Sequence, residues 1–407
     1  MSIESRPPTH RPRRARRVAA LAAAGTLVVG IALAASGPAA AGGPGRGHHR
    51  ADAVQQTLDR IVDEHGVPGA LAAVSDRKGR DRSYVAGVGD LTTGAPVPVD
   101  GQVRIGSDSK TFVAAVVLQL VGEGAIALDA SVETYLPGVV RAEGLDAQAI
   151  TVRDLLQHTS GIGSYTNGPP FVVDGEVRLA GMKNWYAEPY ELVTLGLAQP
   201  VTPRGTWNYS NTNYVLAGLI VQKVTQRPLG EVVTDRIIEP LGMTDTYAPG
   251  RGERAIRGAH PQGHHAEPVG SGLFEHTDID PAASWAAGDL VSTPSDLNTF
   301  FRALLGGKVL APAQLAEMTT TVPMDLPGVP ADWRYGLGLM SMDLSCGGLT
   351  WGHGGTIPGY QVEGGVTQDG RRSVTIATTT MHVMLPGEAS QAVTDEVYGA
   401  IDAVLCA

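Results

Sequence analysis

The amino-acid sequence predicts an α/β (α+β) fold of two lobes, in which an antiparallel sheet flanked by helices carries an inserted all-helical lobe. Strand patterns occur at both ends of the chain, and a stretch rich in helices and loops separates them. Residues 112–121 are apolar on nearly every face, which indicates a helix buried in the centre of the protein. We therefore expect one lobe from residues 51–125 and 281–407, and the helical lobe from residues 126–280.

The elements before the central helix follow simple patterns. Val54, Leu58 and Ile61 recur at helical spacing, which predicts a first helix. Residues 69–75 and 83–89 have strand patterns on either side of a short polar turn, which predicts a β-hairpin.

The later elements are predicted from caps and periodicity. Thr151 with Asp154 predicts a helix N-cap, and Thr293 followed by Pro294 predicts another helix start. The remaining predicted elements are helices at residues 214–224 and 229–238, strands at residues 335–340, 349–352, 361–365 and 374–380, and a last helix with Val393, Val397, Ile401 and Val404 on one buried face.

The N-terminal segment has the pattern of a secretory signal peptide. Five arginines between positions 11 and 17 precede an apolar stretch at residues 18–35, and Ala39 to Ala41 supply the small residues of a cleavage site. We expect residues 1–41 to be removed, residues 42–50 to form a flexible leader, and the mature protein to be secreted without a stable membrane span. An uncleaved membrane anchor is the alternative.

The rest of the chain is strongly acidic. Residues 1–41 hold six Arg and one Glu, so 25 of the 31 basic and 40 of the 41 acidic residues remain, which gives a net charge of about −15. This charge disfavours nucleic acid and anionic membrane surfaces as partners. The length fits one domain over residues 51–407, which we expect to be a monomer.

Two cysteines, Cys346 and Cys406, lie in the exported part of the chain. An even pair in an oxidising compartment favours one disulfide that ties the C-terminus to the last third of the chain. Two free buried thiols or a metal-binding pair are the alternatives.

The first candidate for chemistry is Ser107, followed one helical turn later by Lys110. Serine needs a base within hydrogen-bond reach, and a buried lysine is able to act as a neutral base. The helix N-terminus adds backbone N–H donors where an oxyanion would form. The same pattern recurs at Ser75 and Lys78, where it spans a strand end and a turn, so the pattern alone is not specific. At Ser107 it fits a plain helix start equally well.

The second candidate is Tyr209 with Asn211, just before a predicted helix. A tyrosine near a Ser–Lys pair is able to carry a proton to a leaving group, and an asparagine side chain binds amides. Ser210 to Thr212 are also ordinary helix N-cap residues.

The third candidate is the run from His353 to Thr356, in which glycines allow a ligand to approach an edge strand closely. A glycine-rich turn is the alternative there.

Together, Ser-x-x-Lys, Tyr-x-Asn and His-x-Gly occur in this order and at suitable spacing. In this the sequence resembles penicillin-binding proteins and serine β-lactamases, and over nearly all of residues 50–407 it is most similar to class C β-lactamases and secreted D-alanyl-D-alanine carboxypeptidases. The resemblance implies a β-lactamase/transpeptidase-like fold without cofactor or metal, with Ser107 as nucleophile, Lys110 as its base and Tyr209 as proton shuttle.

The resemblance also implies an oxyanion hole made by the backbone N–H groups of Ser107 and Thr356, and an electrostatic influence of His353 on the site. Asn211 would contact the substrate amide, and two aromatic side chains would form walls of the pocket. The substrate-binding residues it implies are Asn211, His353, Gly355, Thr356, Phe171 and Trp285.

Two positions depart from the carboxypeptidase pattern. Gly354 replaces a hydroxyl residue, and Met340 stands where the carboxypeptidases have an arginine for the substrate carboxylate. The resemblance implies a secreted D-alanyl-D-alanine carboxypeptidase that acts on peptidoglycan-type peptides or another small acyl substrate and is inhibited by β-lactams. The alternatives are a related esterase, a D-aminopeptidase or a class C-type β-lactamase, or a penicillin-binding sensor that does not turn over.

Other histidines have weaker claims to a function. His260, His264, His265 and His276 match no zinc spacing and lie in a stretch rich in Gly and Pro, which predicts a surface loop without metal. His158 is predicted to be a structural hydrogen-bonding residue in a turn.

Overall fold

The computed structural model describes residues 48–324 and 330–407. The predicted signal peptide, residues 1–41, lies outside the described residues, as does most of the predicted leader. The first described helix begins at His48, so the last three residues of the leader predicted at 42–50 are helical. Gly47 is the last helix-breaking residue before this helix, and nothing after it opposes helix formation.

Helices occur mainly in the middle of the chain. Their bounds are α1 (His48–Asp63), α2 (Ser109–Gly122), α3 (Val132–Tyr135), α4 (Val152–Gln157), α5 (Pro189–Leu197), α6 (Asn211–Thr225), α7 (Leu229–Val233), α8 (Glu239–Leu241), α9 (Pro294–Leu305), α10 (Pro312–Met318) and α11 (Ala389–Leu405).

Strands occur mainly at the two ends. Their bounds are β1 (Gly69–Ser75), β2 (Asp81–Gly87), β3 (Val103–Arg104), β4 (Val172–Val173), β5 (Glu176–Val177), β6 (His264–His265), β7 (Phe274–Glu275), β8 (Val291–Ser292), β9 (Val322–Pro323), β10 (Arg334–Tyr335), β11 (Met340–Asp343), β12 (Leu349–Gly352), β13 (Gly355–Ile357), β14 (Tyr360–Thr367) and β15 (Ser373–Thr378).

The main antiparallel sheet joins distant parts of the chain. Among the described residues its order is β2-β1-β15-β14-β12-β11-β10-β9, and β13 also pairs with β14. The predicted hairpin is confirmed as β1 and β2, with Gly69 opposite Gly87. Because β1 also pairs with β15, in the register Ala70 opposite Thr378, the two ends of the chain form one sheet.

The predicted central helix is confirmed as α2, whose side chains from Ser109 to Leu118 are almost fully buried. Phe112 of this helix stacks on Phe300 of α9 with ring centroids 3.8 Å apart. The helix also packs against α6 of the helical lobe, so it contacts both lobes and is the element on which the site is built.

The strand predicted at residues 335–340 is wrong, because β10 and β11 are two antiparallel strands joined by a tight turn. Gly338 in that turn has φ +75°, and a Cβ there would lie 2.6 Å from Ala114 Cβ. Thr111 Oγ1 also donates a hydrogen bond of 2.7 Å to the Gly338 carbonyl. The turn thus docks on α2, and that contact with a distant helix interrupts the strand.

The helical lobe is not all-helical, which corrects the prediction for residues 126–280. It contains the two-stranded pairs β4–β5 and β6–β7.

The surface loop predicted around the histidines of this lobe is also wrong, because His264, His265 and His276 are each only 1 % exposed. His264 N–H donates a hydrogen bond of 2.8 Å to the Thr379 carbonyl, so this segment packs against the end of the main sheet.

The predicted caps are confirmed. Thr151 and Asp154 form a capping box at α4, and the Thr293 side chain accepts a hydrogen bond from the Asp296 N–H at α9. Cys346 and Cys406 are joined in a disulfide. In the part of the chain that the structure covers, no helix has the length and apolar character to cross a membrane.

Candidate active site

Ser107 lies in a single 3₁₀ turn, Gly106–Asp108, that leads directly into α2. Gly106 has φ +50°, and a Cβ at this position would lie 2.8 Å from the Thr356 nitrogen. Only a glycine therefore allows the backbone before Ser107 to approach β13 so closely. The local sequence brings the serine against the strand that follows His353.

Lys110 lies beneath Ser107 with no exposed surface. Its Nζ is 2.9 Å from Ser107 Oγ, 2.7 Å from Asn211 Oδ1 and 2.6 Å from the Ala287 carbonyl oxygen. Burial lowers the pKa of Lys110 well below its usual range, although nearby Asp108 opposes the shift. Burial thus favours the neutral amine form of Lys110.

A neutral amine has two N–H bonds and one lone pair. Lys110 has two carbonyl-type acceptors, on Asn211 and Ala287, and they take both N–H bonds. The lone pair is then left for the Ser107 hydroxyl, 2.9 Å away. This arrangement is suited to removing the proton of Ser107.

Tyr209 lies on the other side of the serine. Its hydroxyl is near enough to Ser107 to be influenced by it, and burial raises the pKa of Tyr209 well above its usual range, so the phenol keeps its proton. Lys110 Nζ lies 4.9 Å from the centre of the Tyr209 ring. Ser107, Lys110 and Tyr209 therefore form one contiguous group.

His158 supports Tyr209 from below, with ring centroids 4.3 Å apart. Its Nδ1 accepts a hydrogen bond of 3.2 Å from the Ser210 N–H, and its backbone, at φ +60°, ends α4. The predicted structural part of His158 in a turn is therefore confirmed, and the residue also positions the loop that carries Tyr209.

His353 is buried and neutral. Burial is the main cause that lowers its pKa to about 3. Its Nδ1 donates a hydrogen bond of 2.7 Å to the Gly354 carbonyl, and its Nε2, 2.9 Å away, accepts one from the Tyr335 hydroxyl. His353 thus acts on its surroundings as an oriented dipole without a formal charge.

Two buried carboxyl groups near the site were not among the predicted residues. Asp108 follows the serine, and burial raises its pKa well above the usual range. Glu363 on β14 lines the pocket, and burial raises its pKa to about 7. The only sequence signal for Glu363 is an acidic residue inside an apolar strand pattern.

The pocket that opens above Ser107 has a volume of about 310 Å³ and two mainly apolar sides. One side is formed by residues of the helical lobe and the other by residues near Tyr209. The first includes Tyr165, Phe171, Val172, Val177, Leu179 and Met182, and the second includes Trp207, Met324, Trp333, Met340 and Tyr398.

Most of the predicted site residues meet at this pocket. Ser107, Tyr209, Asn211, His353 and Thr356 line it, as does the predicted wall Phe171. Gly355 lies behind it, because a Cβ there would be 1.8 Å from the Ile105 carbonyl oxygen.

Trp285 corrects the prediction of a second aromatic wall. It lines a separate cavity of about 520 Å³ on the far side of α2. Its ring packs against Gly218 of α6, where a Cβ would lie 3.1 Å from the ring, and this contact turns the side chain away from Ser107.

The second Ser-x-x-Lys pattern does not bring its serine and lysine together as Ser107 and Lys110 are. The Ser75 hydroxyl donates a hydrogen bond to Asp81, and Lys78 lies in an exposed turn.

In the described ranges, no group of three or more His, Cys, Asp or Glu side chains is arranged to hold a metal ion. The chemistry that this site supports is acyl transfer through a serine with a neutral lysine as base.

The chain is similar to known proteins of this kind. A D-stereospecific amidohydrolase from a Streptomyces species is 39 % identical, with a TM-score of 0.74, over 84 % of this chain and 98 % of that one. A D-amino acid amidase from Ochrobactrum anthropi, solved with L-phenylalanine amide, is 27 % identical with a TM-score of 0.74, over 88 % and 98 % of the two chains. Penicillin-binding protein 4 of Amycolatopsis lactamdurans is 29 % identical over 76 % of this chain and 78 % of its own length.

The Beta-lactamase family model matches residues 54–396, which include every residue of the group around Ser107. The resemblance inferred from the three motifs is thereby confirmed, as is the β-lactamase-like fold. The chain belongs to the beta-lactamase and penicillin-binding protein family of serine hydrolases.

Proposed function

We propose that this chain is a serine amidohydrolase that cleaves small amides of D-amino acids through an acyl-enzyme on Ser107. The observation that carries the proposal is the Ser107, Lys110 and Tyr209 group at the base of a mainly apolar pocket. No Arg or Lys is among the described residues that line this pocket. The similarity to the D-stereospecific amidohydrolase, which this chain matches over 98 % of that protein, supports the same assignment.

In the first half of the reaction, Ser107 Oγ attacks the substrate carbonyl carbon while its proton passes to the lone pair of Lys110 Nζ. The negative charge that develops on the carbonyl oxygen is bound by the backbone N–H groups of Ser107 and Thr356. The close packing of Gly106 on Thr356 supports this, because it brings the two backbones together.

Tyr209 then donates its phenolic proton to the leaving nitrogen, the C–N bond breaks, and the phenol regains a proton from the Lys110 ammonium. Tyr209 and Ser107 line the same pocket, and Lys110 Nζ lies 4.9 Å from the centre of the Tyr209 ring, which places the phenol beside the reacting centre. In the second half, water attacks the ester carbonyl and gives up a proton to the same pair, and Ser107 leaves with its proton restored.

The acyl part of the substrate lies toward the helical lobe. Asn211 Nδ2 donates a hydrogen bond of 3.1 Å to Thr166 Oγ1. The amide nitrogen carries a second N–H bond, which is placed to donate to a substrate carbonyl. Phe171 packs edge-on against Tyr165 and Trp185, each with ring centroids 5.3 Å apart. This aromatic wall favours an apolar side chain on the acyl residue.

The test is a comparison of D-phenylalanine amide with its L enantiomer, using wild type and Ser107→Ala. We expect turnover of the D-amide, several-fold or more slower turnover of the L-amide, and none by the variant. Ammonia release is the readout. If wild type hydrolyses only a short-chain ester and neither amide, the amidohydrolase assignment is wrong and the related esterase is correct.

D-Alanyl-D-alanine carboxypeptidase is the second candidate, and the similarity to penicillin-binding protein 4 favours it. A pocket without a cationic side chain among its described lining residues opposes it, because such a substrate ends in a carboxylate. Release of D-alanine from a diacyl-Lys-D-Ala-D-Ala peptide decides between the two. A sensor would instead give a long-lived acyl adduct and no multiple turnover of any of these substrates.

We also propose that the protein is secreted. The arginine-rich and apolar N-terminal sequence supports this, and so does a disulfide, which is typical of exported proteins. N-terminal sequencing of the protein from culture medium should begin after Ala41. Recovery with residue 1 intact in the membrane fraction would contradict it.

A further inference from the structure

Glu363 is a fixed carboxyl group in the wall of the pocket. Its side chain is 5 % exposed, and both oxygens are held. The Tyr398 hydroxyl donates to Oε2 at 2.7 Å and Gln361 Nε2 donates to Oε1 at 2.9 Å. No Arg or Lys is among the described residues that line the pocket, so no cationic side chain in its wall offsets the charge of Glu363.

The position of Glu363 explains Gly354, one of the two departures from the carboxypeptidase pattern. The β12–β14 and β13–β14 pairings share one register, which places Gly354 opposite Glu363. A Cβ on Gly354 would lie 2.5 Å from Glu363 Oε2. A side chain at position 354 would therefore have to displace this carboxyl group.

Glu363 lies on the side of the pocket that receives the leaving group. Tyr398, which binds Glu363, packs on a buried cluster made of Trp207, Trp333, Met340 and neighbouring side chains. Tyr209 packs on the same cluster. Because Tyr209 gives its proton to the leaving nitrogen, a leaving group longer than ammonia extends along this wall.

The charges near this wall are few. Burial lowers the pKa of His353 to about 3, which leaves it neutral, and burial also lowers the pKa of Lys110, which favours its neutral form. Asp108 and Tyr398 are titratable neighbours of Glu363, and burial raises the pKa of both, so the Tyr398 phenol keeps its proton. Burial raises the pKa of Glu363 to about 7, so at pH 8 Glu363 carries a negative charge.

From this geometry we propose that Glu363 makes the leaving-group side of the pocket select by charge, so that amides with a cationic or neutral leaving amine are cleaved and those with a carboxylate on the leaving group are rejected. The proposal rests on the proposed amidohydrolase function and names its substrate class. Two like charges in a desolvated pocket repel strongly, since water no longer screens them.

The experiment uses three amides of D-phenylalanine that differ only at the end of the leaving amine: the propylamide, the 2-aminoethylamide and the 2-carboxyethylamide. Effects on the shared acyl residue cancel in their ratios. For wild type at pH 8 we expect kcat/KM to fall from the cationic to the neutral to the anionic substrate, by about tenfold or more between the last two.

Glu363→Gln keeps the shape and removes the charge, and it should bring the three values together within a few-fold. Tyr398→Phe is the matched control: it keeps the carboxyl group but removes the hydrogen bond that lowers the pKa of Glu363, so the order should persist in buffer more alkaline than pH 8, where Glu363 is again ionised. Equal ratios in wild type and Glu363→Gln would overturn the proposal, even with amidase activity intact.

Failure of the proposed function gives a different result. Wild type would then leave the propylamide intact and cleave esters. Charge selection would be tested with the propyl, 2-aminoethyl and 2-carboxyethyl esters of D-phenylalanine, whose leaving groups have the same three ends as the amides. Should Glu363→Gln fold poorly, shown by a lower Tm, the wild-type order at pH 8 and the order in Tyr398→Phe above pH 8 still decide. A wild type that cleaves the anionic substrate as fast as the neutral one refutes selection by charge.

Discussion

Lys110 Nζ donates a hydrogen bond to Asn211 Oδ1 at 2.7 Å, which links the base under the serine to the loop that begins α6. An amide accepts this bond without adding charge. A carboxylate of the same shape would favour the ammonium form of Lys110 and so raise the pKa of the lysine. The neutral side chain at position 211 is therefore a condition for the base to work.

Asn211→Asp tests this relationship. Activity follows the deprotonated fraction of Lys110, so raising the pKa of Lys110 moves the acid limb of the kcat/KM profile to higher pH. We expect activity roughly tenfold or more lower at pH 7, with recovery in alkaline buffer. Asn211→Ser, which is neutral, should lower activity without an alkaline shift. An unshifted profile for Asn211→Asp would show that Lys110 is not the titrating base.

Ser107→Ala should abolish acylation as well as turnover. The hydroxyl is the atom that forms the acyl-enzyme, so kcat should fall by a factor on the order of 10⁴ or more. Intact-mass measurement after treatment with a fluorophosphonate should show an adduct on wild type and none on the variant. An adduct on Ser107→Ala at the same stoichiometry would place the nucleophile elsewhere.

Gly354→Ala should destabilise the fold through its contact with Glu363 Oε2. We expect a loss of about 1–3 kcal/mol in the free energy of unfolding, measured by urea denaturation. In a Glu363→Ala background the same change should cost less, with a coupling of about 0.5–3 kcal/mol.

Gly355→Ala is the control for that cycle. Its Cβ would meet the Ile105 carbonyl, which is backbone and cannot move aside when Glu363 is shortened. The cost of Gly355→Ala should therefore be the same with and without Glu363. Equal rescue of both glycine variants by Glu363→Ala would mean that the contact is not specific.

The parts of the fold that the sequence predicts well depend on near neighbours. The capping box of Thr151 and Asp154 and the start at Thr293 involve hydrogen bonds within three residues. The order of the three motifs predicted Ser107, Tyr209 and His353, and all three line one pocket.

What the sequence did not reveal depends on distant contacts. Gly338 interrupts a strand because the turn docks on Ala114, more than 200 positions earlier. Glu363 enters the site because the register of β14 places it opposite Gly354. No local pattern records either contact, since each arises when separate elements pack together.

Removing the disulfide should lower stability but leave the site intact. Cys346 and Cys406 are 60 positions apart and neither lines the pocket. Replacing both by serine should lower the free energy of unfolding by about 2–4 kcal/mol, with kcat/KM nearly unchanged. Reducing agent should lower the Tm of wild type and leave that of the double variant unchanged. Equal Tm values for reduced and oxidised wild type would contradict the contribution of this bond.

Penicillin should acylate Ser107 slowly in wild type and faster in Glu363→Gln. Penicillins carry a carboxylate next to the bond that breaks, and in this pocket that group would face Glu363 with no Arg or Lys among the described lining residues to bind it. The second-order rate constant for labelling by a fluorescent penicillin should rise on the order of tenfold in Glu363→Gln at pH 8. Tyr398→Phe keeps the carboxyl group and should label like wild type in buffer more alkaline than pH 8, where Glu363 is again ionised. If Glu363→Gln labels no faster, the carboxylate of penicillin does not meet Glu363, and the charge of this wall does not decide which acyl donors reach Ser107.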